Sequence, residues 1–510
     1  MLLMTSAPAP RYGLLAVCLA AVILPLSFSA GAIATPAIGR DLGGSPLALA
    51  WITNAFMLTF GSLLLAAGTL ADTYGRKRLF VTGVGLYVLV SLALGIAPSV
   101  LWLDTLRAMQ GVAAAAALAG GSASLAELFD GHARTRAYSA LGSSFGVGLA
   151  LGPILSGWLI SQLGWRAVFV TAALIGALAL VLGVRHLRES RDPAAGRVDG
   201  VATVLFSAAL GLLTWAIMQV PVDGWANPAV WGKLLAAALL LAGFVVSQQR
   251  AARPMLDLSL LRYPRFLGVQ LLPIATCYCF VVLLVALPLR FVGIEGRSEV
   301  DAGLAMLALC GPMLVVPSVA AWLVRFASAG VICALGLVVA AFGLWWLGRI
   351  DAGAHPLAWV APMLVIGVGT GLPWGLMDGL SVSVVPKERA GMATGIFSTT
   401  RVAGEGIALA IVTALSSGLI ARQLGLALPC LPADQVAQAA QYLGAGEMTQ
   451  ARALLGAAPR EVLAAAVASA FAEVTWALIA ITLASAAVVL LFLAERPVTA
   501  QQTGLAAEFD

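Results

Sequence analysis

Charge is what this chain has least of: Asp, Glu, Lys and Arg make up 10% of its 510 residues, against 61% hydrophobic. A soluble protein of this length would carry about 25% charged residues. With a mean hydropathy of +0.98, a soluble chain is excluded and a polytopic membrane protein is implied. Histidine is scarcer still. Three histidines, with no H-E-x-x-H or G-K-[ST] pattern, support neither a metalloenzyme nor a nucleotide-driven pump. Transport, if that is the task, draws on an ion gradient and needs no cofactor. Of six cysteines, Cys18, Cys277, Cys279, Cys310 and Cys333 stand in apolar segments and Cys430 in a loop. No paired loop cysteines suggest a disulfide framework, and Cys277-Tyr-Cys279 lacks metal-site spacing, so no metal is expected. The excess of 29 Lys+Arg over 24 Asp+Glu is small and shows no basic patch interleaved with aromatics, which argues against nucleic acid.

What the chain does have is long apolar runs. A bilayer-crossing helix needs about 20 apolar residues. Such spans fall near 13–38, 48–70, 79–97, 100–127, 137–161, 165–185, 200–220, 230–249, 266–290, 302–323, 329–348, 357–384, 391–420 and 466–494. The first follows a single cation, Arg11, and is too long for a signal-peptide core. Fourteen spans put both ends on one side. Cations crowd alternate loops: Arg76, Lys77 and Arg78; Arg134 and Arg136; Arg185, Arg188, Arg191 and Arg197; Arg250, Arg253, Arg262 and Arg265; Lys387 and Arg389. Cation-rich short loops stay in the cytoplasm, so both termini are expected there.

The stretch at residues 421–465 is Ala- and Gln-rich. The spacing of Val436, Ala440 and Leu443, and of Ala451, Leu454 and Leu455, predicts short amphipathic helices on the outer side. They cap the outer mouth, meet an adaptor protein, or lie on the surface without a partner. An internal repeat is faintly visible: Arg134-Thr-Arg136 opens span 5 and Lys387-Glu-Arg389 opens span 13, with Gly142 and Gly395 each six residues on. Two six-helix halves with two helices between them follow, a known transporter plan with its site at the interface of the halves. The domains are thus residues 1–190, 191–262 and 263–510.

Residues 68–78 pack Gly68, Asp72, Gly75, Arg76, Lys77 and Arg78 into the loop after span 2. Gly75 suits a tight reversal and Asp72 can bond the arginines around it. The order G-x-L-x-D-x-x-G-R-K-R resembles the loop between helices 2 and 3 of the major facilitator superfamily. Further likenesses are Arg107-Ala-Met-Gln110-Gly111 in span 4, and Gly148, Gly152, Pro153 and Gly157 in span 5, where Ser156 replaces one glycine. Gly164-Trp165-Arg166 and residues 254–261 add to them. Nearly the whole chain is similar to the fourteen-helix drug/proton antiporter branch. That resemblance implies an all-α polytopic membrane protein of the major facilitator fold. It also implies proton-coupled efflux of hydrophobic or cationic small molecules across a bacterial inner membrane, with the glycine-proline bend of span 5 helping to seal the cavity. Alternatives are export of one metabolite or siderophore-like product, or a non-transporting receptor or assembly subunit. The departure is in span 1, where the branch usually has an acid nine residues before the closing proline. Measured from Pro36, that position is Ser27.

Ionisable residues inside a bilayer cost about 2.5–3.5 kcal/mol, so each calls for a reason. Arg107 is either a structural arginine, binding carbonyls of span 5 and paired with Asp104, or part of the proton pathway that the resemblance implies. Arg401 and Glu405 stand four residues apart on span 13, as a static pair or with Glu405 carrying the proton in place of the missing span-1 acid. Asp378 on span 12 is a second proton carrier or an anchor of that helix end. Asn54, Met57, Phe60, Gln270, Tyr278 and Trp374 are candidate substrate contacts, although residues of these types on a helix more often serve packing.

Overall fold

Segment ends are set by serine, proline and glycine. Ser45, Ser99 and Ser328 each turn a side-chain oxygen onto an early amide of the helix they precede, and Pro46 occupies the first turn that Ser45 caps. The computed structural model describes residues 10–129, 131–191, 199–225, 227–251, 254, 256, 258–350, 354–385, 390–456 and 458–493. Arg197, Arg253, Asp257, Lys387 and Arg389, and the side chains of Arg134 and Arg136, lie outside the description.

The helices in chain order are α1 Pro10–Leu42, α2 Pro46–Tyr74, α3 Arg76–Leu94, α4 Val100–Leu128, α5 Gly131–Leu163 and α6 Arg166–His186. Next come α7 Gly200–Asp223 and α8 Pro228–Arg250. Then follow α9 Pro264–Ile294, α10 Glu299–Leu323, α11 Ala329–Leu347, α12 Val360–Ser383 and α13 Ala390–Ala427. Two short helices, α14 Ala433–Gly444 and α15 Met448–Leu454, precede α16 Arg460–Leu493. Fourteen of them are long and apolar enough to cross a membrane. The short helices expected within 421–465 are α14 and α15, whose Val436, Ala440, Leu443 and Ala451 are buried.

α1–α6 form one half, in which α4 packs on α2 and α3, and α1 packs on α5 and α6. α9–α13 and α16 form the other, with α11 against α12 and α16, and α16 also against α9 and α13. α7 and α8 pair with each other, and α7 leans on α2 and α13. The halves meet along α5–α10 and α2–α13. Both seams depend on glycine. A β-carbon on Gly61 would lie 2.6 Å from the Ala403 amide, and one on Gly303 2.6 Å from the Pro153 carbonyl. Lipid supplies no hydrophobic drive between helices, so such close backbone approach is what holds them together.

We call the end with Arg76, Lys77 and Arg78 the basic face, and the end with α14 and α15 the cap face. On the basic face Gly75, at φ +122°, reverses the chain within one residue. A β-carbon there would also meet Glu189 Oε1 at 2.5 Å.

Within the second half, α11 and α12 touch through Gly336 and Gly369, where a β-carbon on Gly369 would sit 2.6 Å from the Gly336 carbonyl. Gly369→Leu should therefore force these helices apart at a cost of about 1–3 kcal/mol, typical of overpacking. A lowered midpoint of thermal unfolding in detergent checks this, and an unchanged midpoint refutes it.

Candidate functional site

On the basic face, Asp72 Oδ1 accepts from Arg76 Nε and Nη2 at 3.1 and 3.0 Å, and Arg76 Nη1 donates to Glu127 at 3.0 Å. Lys77 Nζ donates to the Val184 carbonyl at 2.7 Å and the Arg78 amide to Glu189 at 3.1 Å. All these partners belong to the first half. The loop thus clamps the ends of α2, α4 and α6 into one body.

Arg107 is wholly buried. Its Nε donates to the Ile52 carbonyl of α2 at 2.8 Å and its Nη1 to Gln110 Oε1 at 2.6 Å, while Gln110 Nε2 donates to Ser91 Oγ at 2.8 Å. The guanidinium also stacks over Phe56, 4.4 Å from the ring centre. The expected partners were different. The carbonyl comes from α2 rather than α5, because α2 is the helix packed along α4. Asp104 forms no ion pair with Arg107 among the described residues, and its Oδ1 is buried without a partner. Gly111 presses on α2, where a β-carbon would lie 3.0 Å from the Phe60 amide.

Ser27 is buried and bonds the Tyr87 hydroxyl of α3. The place of the missing acid is therefore a buried hydroxyl pair inside the first half. The α5 glycines divide their work. Gly148 and Gly152 admit α1, with would-be β-carbons 3.2 Å from the Val22 carbonyl carbon and 3.3 Å from Leu26 Cα. Gly157 instead admits α10, at 2.9 Å from the Glu299 carbonyl carbon.

Arg401 does not pair with Glu405. Its Nη1 reaches across to Asp378 of α12, 3.3 Å from Oδ1. Side chains four apart on one helix are neighbours, but α12 presents a carboxylate that the guanidinium reaches instead. Glu405 has no ion-pair partner among the described residues. Its side chain keeps partial exposure and lies close to Cys277 of α9. Opposite stands a wide π-type turn of α9, Cys277–Val281, with Cys277 Sγ 3.9 Å from the Arg401 carbonyl and Cys279 Sγ 3.5 Å from Thr370 Oγ1. Such turns are frequent at functional sites.

Met57 and Phe60 share one core with Phe280, and Tyr278 and Trp374 pack against it; Trp374 stands 6.1 Å from Phe280. Gln270 is buried beside Val269 and Leu272 of the same core, with neither amide atom bonded. Asn54 lines a separate cavity near the cap face and leaves its Oδ1 unpaired.

One charged group went unrecognised in the sequence. Glu295 bridges Arg290 at 3.0 Å and Arg297 at 2.7 Å, and Arg290 stacks over Trp359 at 4.5 Å and Phe471 at 4.8 Å. Arg290 and Glu295 are five apart, a spacing that only a second π-type turn, Leu289–Ile294, brings together.

Two helical halves that meet along glycine seams, with acids and arginines enclosed between apolar helices, are the build of a membrane transporter. A sequence model of the Major Facilitator Superfamily matches residues 17–409, and the chain belongs to that family. It is 31% identical, over 74% of its length and 71% of the other protein's, to the multidrug resistance protein Stp of Mycobacterium tuberculosis (strain CDC 1551 / Oshkosh). It is 33% identical to the cephamycin export protein CmcT of Amycolatopsis lactamdurans, over 79% of this chain and 84% of that protein. Among solved structures, it is similar in fold to a bacterial homologue of the human lysosomal transporter Spinster, caught inward-facing and unoccupied. The TM-score is 0.61 at 16% identity, over 96% of this chain and 97% of that one.

The Arg107 network predicts an ordering of mutants. Gln110→Leu strands a buried guanidinium hydrogen and should cost about 3 kcal/mol, since leaving a charged group unsatisfied costs more than leaving a neutral one. Ser91→Ala strands one amide hydrogen and should cost about 1–3 kcal/mol. Thermal unfolding in detergent reads both, and equal midpoints would contradict the network.

Proposed function

We propose that this chain exports hydrophobic or cationic small molecules from a bacterial cytoplasm in exchange for protons, by alternating access between its two halves. The relatives named for drug resistance and antibiotic export support export, and the family is one of transporters rather than enzymes. On the positive-inside rule the basic face is cytoplasmic, both termini lie there, and the cap face is outside. The driving force is the proton gradient, with no cofactor.

The observation that carries the coupling scheme is the placement of Arg401 between two acids, bonded to Asp378 across the helix gap and four residues from an unpaired Glu405. A guanidinium that swings from Asp378 to Glu405 stabilises the Glu405 carboxylate and drives its proton off. When it returns to Asp378, Glu405 is left in an enclosed site without a counter-charge and takes up a proton. Arg107 has no such freedom, since Ile52, Gln110 and Phe56 hold it, so its role is to fix α2 against α4. Substrate contacts fall to Met57, Phe60, Tyr278 and Trp374 around the core between the halves.

A second reading, export of one secreted product, is favoured by the relative named for cephamycin alone. A panel of export substrates separates the two by breadth.

In proteoliposomes under an imposed pH gradient, Glu405→Gln should lose gradient-driven transport while keeping substrate exchange in the absence of a gradient. Asp378→Asn should slow both, because Arg401 then stays on Glu405 and holds it deprotonated. Normal gradient-driven transport by Glu405→Gln removes that residue from the mechanism.

A further inference from the structure

The α14–α15 hairpin is rooted in the second half and pressed against the first. Its apolar side, Val436, Ala439, Ala440 and Leu443, shares one cluster with Ile420 and Leu424 of α13 and Leu463 and Val467 of α16. Its turn does the opposite. Ala445 joins the first-half cluster of Ile38, Leu49 and Val100. Gly446, at φ +80°, lies against α9 and α1: a β-carbon on Gly293 would be 2.6 Å from its carbonyl carbon, and its own would be 3.6 Å from Pro36. Glu447, 4% exposed, pushes its carboxylate into the notch left by Gly39, where a β-carbon would be 2.8 Å from Cδ. Gln441 adds a bond to the Pro221 carbonyl of α7 at 3.1 Å.

Beneath α14 lies a cavity of about 60 Å³ between α1, α2, α7, α9 and α13. It has room for several waters, each needing about 10–15 Å³ on this measure. Thr35, Thr53, Asn54, Thr413, Ser417 and Gln441 supply its polar lining, and none of its lining residues is charged. A chamber without fixed charge holds neither cation nor anion firmly, which suits release rather than capture.

We propose that α14 and α15 are the outer gate of the transport path and that this cavity is the release vestibule behind it. The proposal rests on the exporter reading. Opening parts α1 and α2 from α9 and α10. The hairpin travels with the second half, to which both its ends are tied, so the contacts that break are those on α1: Glu447 with Gly39, Gly446 with Pro36, and the 2.6 Å pair of Arg40 with Glu299. Glu447 also makes closure sensitive to pH. The groups facing it are Arg40 of α1, itself paired with Glu299 of α10, and Gln450 of α15. Burial raises its carboxyl above the ordinary range against the pull of both. A group raised on closure favours the closed state when protonated, so closure strengthens as outside pH falls and weakens as pH rises through the buried value.

Two measurements on the full-length protein in proteoliposomes test the gate. Gly39→Cys with Glu447→Cys, in a Cys430→Ser background, puts one thiol on each side of the latch, to be joined directly or by a short bis-thiol reagent that a reductant cleaves. Oxidation should reduce export to background and reduction should restore it, whereas full export by the cross-linked protein overturns the gate. Both redox states are one folded protein, so misfolding cannot imitate the result. The second reading needs no substrate, and so separates failure of the gate from failure of the exporter assignment. Ser417→Cys is labelled by a membrane-impermeant maleimide, with the rate referred to exposed Cys430. Gly39→Val, which evicts the Glu447 carboxylate, should raise the relative rate severalfold. The relative rate should also rise with pH, and lose that dependence in Glu447→Gln. An unchanged rate in Gly39→Val, or a pH response that survives Glu447→Gln, refutes the latch.

Discussion

Backbone-to-backbone approach at glycine is the constraint on which this molecule depends. In water a helix adheres to its neighbours by hiding apolar surface, but in a bilayer that surface is already at home. Adhesion must come from close contact, and close contact needs positions with no side chain in the way. The structure uses such positions both inside each half and between the halves. The difference is extent. Inside a half, several helix pairs are in contact along their lengths, whereas the halves meet chiefly along the α5–α10 and α2–α13 seams, with lighter contact of α1 on α9 and at the cap.

The enclosed charges fall into two kinds. Arg107 is gripped by a carbonyl, an amide and an aromatic ring, and Arg290 and Arg297 share the Glu295 carboxylate and both lie over Trp359. These are fastenings. Arg401 is held by a single residue's carboxylate, at 3.3 and 3.5 Å, that is itself largely exposed, with the Phe397 ring 5.7 Å from its guanidinium. It has an alternative acid on its own helix and a widened turn of α9 facing its backbone. A lightly held charge with two destinations is the arrangement that a coupling device needs, and a fastening does not.

Much of this was legible in the sequence. The fourteen spans, the Asp72–Arg76 bond and the short helices of the cap all follow from local pattern: apolar length, turn chemistry and helical periodicity. What was not legible depends on how helices are rotated about their axes. Arg401 chose an acid 23 residues away over one four residues away, and Arg107 chose α2 over α5. The glycines of α5 looked like one stripe but serve two neighbours. Partners five apart, such as Arg290 and Glu295, escape a search tuned to three and four, because the π-type turn that joins them leaves no mark in composition. Ser27 was visible as a departure, but its burial against Tyr87 was not.

The cap has a practical side as well. α13 runs unbroken for 38 residues and α16 for 34, about 57 and 51 Å at 1.5 Å per residue, where the hydrocarbon layer is about 30 Å thick. Arg422 on one and Glu473 on the other brace this pair at 2.7 Å. A rigid stem of this kind stands clear of lipid or micelle. It gives the protein a landmark for particle alignment in electron microscopy, and a handle that a raised antibody fragment can grip.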